Sequence, residues 1–183
     1  MSWYINKNSR ACMIRGKVIE EALRFYLENK DKDLSITSIE TYANDLYYLK
    51  TKDLPGKIVK FNAKPINSLV KIGIKTFDSL MIKKIINLKS LKIKKNHIKT
   101  VVYPDFKVNK LNINDECFKN CCVELKVTNQ IKKSLLKKHA SQCYNYTINS
   151  RKPVILIYLV FSKIGSKHPV FQAKAVLYIV KKK

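Results

Sequence analysis

The chain has 183 residues, 46% of them hydrophobic, and carries 37 basic against 13 acidic residues, a formal net charge of +24. This length and composition suit one globular domain, residues 1–183, with a core of its own, and exclude a disordered or disulfide-stapled chain. A charge of this size attracts polyanions, so nucleic acid is the expected partner. A coding bias toward A and T would also enrich Lys, Asn, Ile and Tyr. That bias and the small size would suit a virus or a mobile element.

The hydropathy pattern and the cysteines indicate where in the cell the protein is expected. No run of about 18 or more apolar residues occurs, so no membrane span is expected. The first eleven residues are too polar for a signal peptide. We therefore expect a soluble protein inside the cell: in the cytoplasm, or in a host cell if the protein is viral. Five clustered cysteines indicate free thiols or a metal site in a reducing compartment, and not a disulfide framework.

The first predicted element is a helix that begins at Asn8 or Ser9 and runs to about Asn29, because apolar residues recur there at helical spacing. Gly16 stands inside this helix. A glycine in a helix interior costs about 1 kcal/mol relative to alanine, so it suggests the close approach of another backbone or of a ligand.

The region after this helix is less regular. Thr37 and Glu40 have the spacing of a capping box that opens a second helix, ending near Lys50. Residues 57–64 and 70–74 could each form a strand or irregular structure, and residues 77–88 predict a short helix. The lysine-rich residues 89–99 form either a solvated charge run or an edge that faces DNA.

The chemistry of the chain centres on two acidic positions 19 residues apart, Asp105 and Glu124. Residues 101–108 and the segment around Glu124 are rich in strand formers, so an antiparallel pair would bring the two acids together. On a strand, Glu124 and Lys126 project from one face while the Leu125 side chain turns into the core. Carboxylates suit Mg²⁺ or Mn²⁺, and the Leu125 carbonyl would face the same metal. A charged hairpin without function is the alternative.

Pro104-Asp105 followed by Glu124-Leu125-Lys126 resembles the signature of the PD-(D/E)XK nuclease superfamily. The resemblance implies an α/β fold of restriction-endonuclease-like type, with a mixed central sheet flanked by helices. It also implies metal-assisted hydrolysis of phosphodiester bonds. Asp105 and Glu124 would hold the metal, and Lys126 would orient or deprotonate the attacking water.

The first helix is similar to that of the RecB-like branch, which includes exonucleases associated with CRISPR adaptation. These nucleases carry G-x-x-x-H-E there, and this chain has Gly16, then Glu20 at the histidine position and Glu21 at the acid. The resemblance implies that Glu20 or Glu21 joins the metal ligands, with Glu20 the first choice, and that Arg15 contacts the nucleic acid. A solvated acidic pair on a helix surface is the alternative.

A third helix is expected from about residue 129 to 149, and it carries Gln142 and Tyr146 one turn apart. They match the Q-x-x-x-Y motif of RecB-like nucleases, which implies a place beside the active site and the DNA strand, with Tyr146 stacking on an unpaired base. A buried amide and phenol that bond to each other is the alternative. Two apolar runs, residues 153–161 and 171–180, predict strands, the first buried on both faces.

Some relatives hold an iron–sulfur cluster through one early and three late cysteines. Here Cys12 could be the early one, but only Cys143 follows Lys126, so no cluster is expected. His139 and His168 lack metal-ligand spacing and are interpreted as non-catalytic.

Together the motifs predict an exonuclease dependent on Mg²⁺ or Mn²⁺ that prefers single-stranded DNA or DNA ends. A Holliday-junction resolvase or restriction-type endonuclease, a non-catalytic basic nucleic-acid-binding protein, and a viral inhibitor built on a nuclease fold are the alternatives. The oligomeric state stays open.

Overall fold

The computed structural model describes residues 2–29, 32–81, 88–90, 106–113, 116–150, 154–164 and 170–180. By its contacts the chain divides into two compact units. We call residues 1–74 with 161–174 the N-terminal unit, and residues 75–160 with 175–183 the sheet unit. A single domain stays a prediction.

The N-terminal unit contains helix α1 (Ser2–Glu28), helix α2 (Ile36–Lys50), helix α3 (Gly56–Ala63) and most of helix α4 (Ile66–Met81). Helix α1 contacts both α2 and α3. Its fully buried apolar residues fall on one face, with separations of three, four and seven positions among them, as an amphipathic helix requires: Ala11, Val18, Ile19, Ala22 and Leu23. A helix close to the predicted one therefore forms, although it begins earlier, at Ser2.

Helix α4 approaches α1 closely at Gly73. A Cβ atom at this position would lie 2.7 Å from Cδ1 of Leu23. Only a residue without a side chain fits this approach unless Leu23 shifts.

Two local predictions in this unit are wrong. Helix α2 is capped by Ser35, whose hydroxyl accepts a hydrogen bond from the Ser38 amide at 3.1 Å, and not by the predicted capping box at Thr37. Residues 57–63 and 70–74 are helical. The valines and isoleucines there suggest strands, but buried residues at 66, 69, 70, 74 and 77 have helical spacing. Helix α4 takes in the start of the predicted 77–88 helix and ends at Met81.

The sheet has five strands: β1 (Leu88–Ser90), β2 (Phe106–Ile113), β3 (Glu116–Thr128), β4 (Val154–Ile164) and β5 (Val170–Val180). Their order is β1-β5-β4-β3-β2. Strand β2 is antiparallel to β3, whereas β3 is parallel to β4 and β1 is parallel to β5. The predicted α/β class with a mixed sheet is confirmed.

Helix α5 (Lys133–Ser150) connects the parallel strands β3 and β4, as a parallel pair requires a crossover. Strand β4 is buried from Val154 to Phe161, which confirms the strand predicted to be covered on both faces. One hydrophobic cluster joins α5 to the sheet. Its buried members are Cys122, Cys143, Tyr146, Val154, Leu156, Tyr158, Val160, Tyr178 and Val180. None of the described helices is long and apolar enough to cross a membrane.

Candidate active site

Strand β3 places Glu124 and Lys126 on one face of the sheet. In the register with β4, Glu124 lies opposite Leu156 and Lys126 lies opposite Tyr158. Since alternate residues of a strand share a face, these two side chains project together. Leu125 points the other way and is buried, so the predicted orientation of this strand is confirmed.

Helix α5 contributes the side chains that meet Glu124. Gln142 and Tyr146 are separated by one turn, and His139 precedes Gln142 by three positions, so all three share a helix face. Nε2 of Gln142 donates to Oε1 of Glu124 at 3.0 Å. It also donates to the Tyr146 hydroxyl at 2.8 Å. A primary amide has two N–H donors, and here each has an acceptor.

The lysine completes this arrangement. Nζ of Lys126 forms an ion pair with Oε1 of Glu124, the same oxygen that Gln142 contacts. The E-x-K and Q-x-x-x-Y motifs, 18 residues apart between Glu124 and Gln142, therefore meet at a single carboxylate oxygen. We call Glu124, Lys126, Gln142 and Tyr146 the carboxylate cluster.

The two charged members of the carboxylate cluster differ in solvent exposure. The Glu124 side chain is 1% exposed, whereas that of Lys126 is 25% exposed. Burial of an ionised carboxylate is expensive unless it is paired and hydrogen-bonded, and the lysine and the amide supply both. The lysine is the part of this pair nearer to solvent.

His139 contacts the neighbouring strand. Its Nδ1 lies 2.7 Å from the Tyr158 hydroxyl, and the two ring centroids are 5.7 Å apart. Burial lowers the pKa of His139 to about 4, helped by the positive charges of Lys126 and Lys138. Burial also raises the pKa of Tyr158. At neutral pH both groups are therefore uncharged. The sequence interpretation set His139 aside, although its position three residues before Gln142 already placed it on this helix face.

Tyr146 does not have the predicted environment. It is 3% exposed and belongs to the hydrophobic cluster between α5 and the sheet. In this arrangement the ring presents no face to a base, so the burial does not support the stacking role, which stays a prediction. The hydroxyl is bonded to Gln142 instead, which agrees with the alternative of a buried amide and phenol.

The first-helix candidates lie in the N-terminal unit. Oε1 of Glu20 pairs with Arg24 at 3.0 Å, and Glu21 pairs with Lys50 at 2.6 Å. Arg15 is 6% exposed, and burial lowers its pKa. A guanidinium at this depth is not presented to a nucleic acid in this arrangement, so the burial does not support the Arg15 contact, which stays a prediction.

Arg15 belongs to a second polar cluster, centred on Asn62, which is 1% exposed. Oδ1 of Asn62 accepts from the Cys12 thiol at 2.9 Å and lies 3.5 Å from Nη1 of Arg15. Its Nδ2 donates to Oδ1 of Asn8 at 2.9 Å and to the Ile58 carbonyl at 3.0 Å. We call these residues the asparagine cluster. It joins α1 to α3.

Asp105 lies outside the described residues. The next residue, Phe106, pairs with Val123, which directly precedes Glu124. The predicted antiparallel pairing of the two segments is thus confirmed for residues 106–108 of the predicted 101–108 strand, and the observed strand continues to Ile113. Among the described residues, no group of three or more His, Cys, Asp and Glu side chains could hold a metal. Cys12, Cys122 and Cys143 are free thiols, and the expected lack of an iron–sulfur cluster stays a prediction.

Comparison with protein-family models, with curated proteins and with solved structures gives no match for this chain.

Proposed function

We propose that this protein is a metal-dependent DNA nuclease that hydrolyses phosphodiester bonds. The observation that carries the proposal is the contact of both Lys126 and Gln142 with one oxygen of Glu124. The two motifs come from separate segments of the chain, and the nuclease resemblance requires them to meet. Chance occurrence of E-x-K in a lysine-rich chain gives no reason for Gln142 to bond to that glutamate.

The described residues fit part of a metal site. Glu124 supplies a hard oxygen ligand of the kind that Mg²⁺ and Mn²⁺ prefer, and Gln142 orients it, as neighbours of metal ligands commonly do. In the proposal Asp105 and the Leu125 carbonyl complete the protein ligands. Glu20 is left out, because its Oε1 already pairs with Arg24. A bound Mg²⁺ or Mn²⁺ would supply the positive charge that binds the scissile phosphate and activates water.

The protein groups have distinct tasks in the proposed hydrolysis. A water oxygen attacks the phosphorus and gives up a proton to solvent, the bond from phosphorus to the leaving oxygen breaks, and the leaving oxygen takes a proton from solvent. Lys126, the more exposed member of its ion pair, orients this water and stabilises the negative charge that develops on the phosphate. Gln142 fixes the Glu124 carboxylate, and the Tyr146 hydroxyl in turn fixes the amide.

The finer assignment follows the RecB-like resemblance. We propose a restriction-endonuclease-like core, supported by the succession of antiparallel β2–β3, helix α5 and parallel β4. The proposed substrate is a DNA end or a single strand, and the mode is exonucleolytic. Because Tyr146 is buried, this preference no longer rests on Tyr146. Cleavage of substrates without a free end would instead indicate a resolvase or an endonuclease.

The proposal is tested by cleavage of labelled linear single-stranded DNA in Mg²⁺, in Mn²⁺ and in EDTA. Cleavage should need the metal and should be lost in Glu124→Gln, which keeps the shape of the side chain. The matched control is Glu28→Gln, at an exposed acid of α1, which should cleave normally. Cleavage by Glu124→Gln at the wild-type rate would refute the proposal. A closed circular strand cut as fast as a linear one would replace the exonuclease with an endonuclease.

A second candidate is a basic nucleic-acid-binding protein without catalysis. The 1% exposure of the Glu124 side chain favours it, since a carboxylate this deep can serve the fold alone. The net charge of +24 would supply the affinity. On this account wild-type protein binds DNA with a steep salt dependence and shows no metal-dependent cleavage.

A further inference from the structure

A shallow cavity of about 230 Å³ lies in the N-terminal unit, where α2 leads into α3. Its walls combine an aromatic ring, a small apolar floor and two lysines. The residues used in the argument are Tyr48, Leu54, Val59, Lys52 and Lys60.

The ring of Tyr48 is presented to solvent and held from behind. Tyr48 is 49% exposed, whereas the adjacent Tyr47 is fully buried. The two rings meet edge to face, with centroids 5.9 Å apart. A ring anchored in this way gives up little freedom when a flat ligand stacks on it.

The backbone around the cavity is ordered by its own hydrogen bonds. The Thr51 amide donates to the Tyr48 carbonyl at 3.2 Å, and the Leu54 amide donates to the Thr51 carbonyl at 2.9 Å. The Thr51 hydroxyl also donates to the Tyr47 carbonyl at 2.7 Å. Leu54 and Val59 are 8% and 7% exposed and supply the apolar surface. The cavity therefore exists before any ligand arrives.

The charges around the cavity favour an anion. Lys52 and Lys60 are exposed, and within the described part of the chain no acidic side chain lines the cavity. The acid nearest in sequence, Asp53, pairs with Arg10 at 2.8 Å. Its negative charge is thus offset by an arginine.

We propose that this cavity binds single-stranded DNA, with one base stacked on Tyr48 and the flanking phosphates at Lys52 and Lys60. An aromatic face with cationic neighbours is the combination that holds single strands without reading sequence. Duplex DNA keeps its bases stacked on each other and cannot offer one to the ring. This inference rests on the proposed nuclease function only in taking DNA as the partner. The site itself lies in the N-terminal unit, whereas the carboxylate cluster lies in the sheet unit.

The test measures binding of a fluorescein-labelled oligothymidylate by fluorescence anisotropy, in EDTA so that no cleavage occurs. Tyr48→Ala should weaken binding about fivefold or more, the loss expected for one base–aromatic stack. Tyr48→Phe should restore it, because stacking needs the ring and not the hydroxyl. In the double variant Lys52→Gln/Lys60→Gln, the slope of log K against log salt should fall by about 0.7 for each lysine.

Matched controls come from the same unit. Phe61 is 61% exposed and does not line the cavity, so Phe61→Ala should bind as the wild type does. Lys71, exposed on α4, provides the control for charge through Lys71→Gln. Thermal unfolding of each variant checks that the fold is retained. Because Tyr48 is about half exposed, its replacement should cost little stability.

The outcomes separate this site from the proposed activity. Loss of binding in Tyr48→Ala with rescue in Tyr48→Phe supports the site even if no protein cleaves DNA. If Phe61→Ala or Lys71→Gln weakens binding as much as the cavity variants do, the proposed site is overturned. Exposed rings and lysines of this unit would then bind DNA without a defined site. Equal affinity for duplex DNA, or equal competition by polyglutamate, would also overturn it. Preference for oligouridylate over oligothymidylate would reassign the partner to RNA.

Discussion

The carboxylate cluster and the asparagine cluster are both buried polar groups, and they differ in what sits at their centre. Asn62 is a neutral amide that makes contacts with side chains of α1 and with its own helix. Glu124 is an acid whose oxygen faces a lysine that is 25% exposed. The asparagine cluster joins two helices, whereas the carboxylate cluster holds a charge close to solvent. Burial alone therefore does not distinguish the two clusters, and the difference lies in the buried acid paired with a partly exposed cation, on which the proposed activity rests.

The largest expected effect is on catalysis and lies in the carboxylate cluster. Lys126→Met keeps much of the aliphatic stem and removes the ammonium, so cleavage should fall by about 10²–10³, the range for loss of one group that stabilises developing charge. The check is single-turnover cleavage with Lys132→Met, an exposed lysine outside the cluster, as the control. Equal activity of both variants would mean that Lys126 acts only in the fold.

The next effect is on stability and lies in the asparagine cluster. Asn62→Ala leaves the buried Arg15 guanidinium and the Asn8 amide without the contacts that Asn62 makes to them. The free energy of unfolding should fall by about 1–3 kcal/mol, because the hydrogen bonds of a buried amide are lost. Urea unfolding measures this loss. Cleavage per folded molecule should stay at the wild-type value, and a loss of activity without a loss of stability would remove the distinction between the clusters.

A smaller effect is expected at the hydroxyl of Tyr146. Tyr146→Phe keeps the buried ring but removes the acceptor that Gln142 uses at 2.8 Å, so the rate should fall by a factor worth about 1 kcal/mol. The affinity for single-stranded DNA should not change, because the ring is in the core. Tyr144→Phe, on the same helix, serves as the control. A change in DNA affinity without a change in rate would return Tyr146 to the role of a base-stacking residue.

The smallest effect is a dependence of stability on pH. The pKa of His139 is about 4 in the folded protein, below its ordinary value of 6.5. Between these values the unfolded chain binds more protons, so stability rises with pH there. The contribution is present above about pH 6.5 and is lost as pH falls toward 4. Partial solvent exposure will reduce its size.

Urea unfolding across this interval measures the slope for His139. The His139→Gln variant should show a shallower slope than the wild type. Identical slopes in the two proteins would contradict the lowered pKa.

The sequence predicted the arrangement of the carboxylate cluster in good part. Alternation on a strand placed Glu124 with Lys126, and helical spacing placed Gln142 with Tyr146. The spacing does not determine the rotation of helix α5 about its own axis relative to the sheet. This rotation decides whether Tyr146 faces solvent or the core. It is set by packing against Tyr158 and its neighbours, which are distant in sequence.

Local composition gives the wrong secondary structure where tertiary packing determines it. The residues around Val70 are rich in strand formers, yet Leu69, Ile74 and Phe77 are buried along a helix. Residue propensity is a weak guide there, because burial at helical spacing outweighs it. Similarly, Ser35 and Thr37 are both suitable helix caps, and only the observed bond from the Ser38 amide distinguishes them.

The central claim is that Glu124 belongs to a metal centre and not only to a structural network. The most direct test is a titration of the protein with Mn²⁺, followed by electron paramagnetic resonance of the free ion, for the wild type, Glu124→Gln and Asp105→Asn. The account predicts a site in the wild type that is lost or greatly weakened in both variants, while Glu28→Gln binds normally. Unchanged Mn²⁺ binding in Glu124→Gln, or no binding by the wild type, would contradict it.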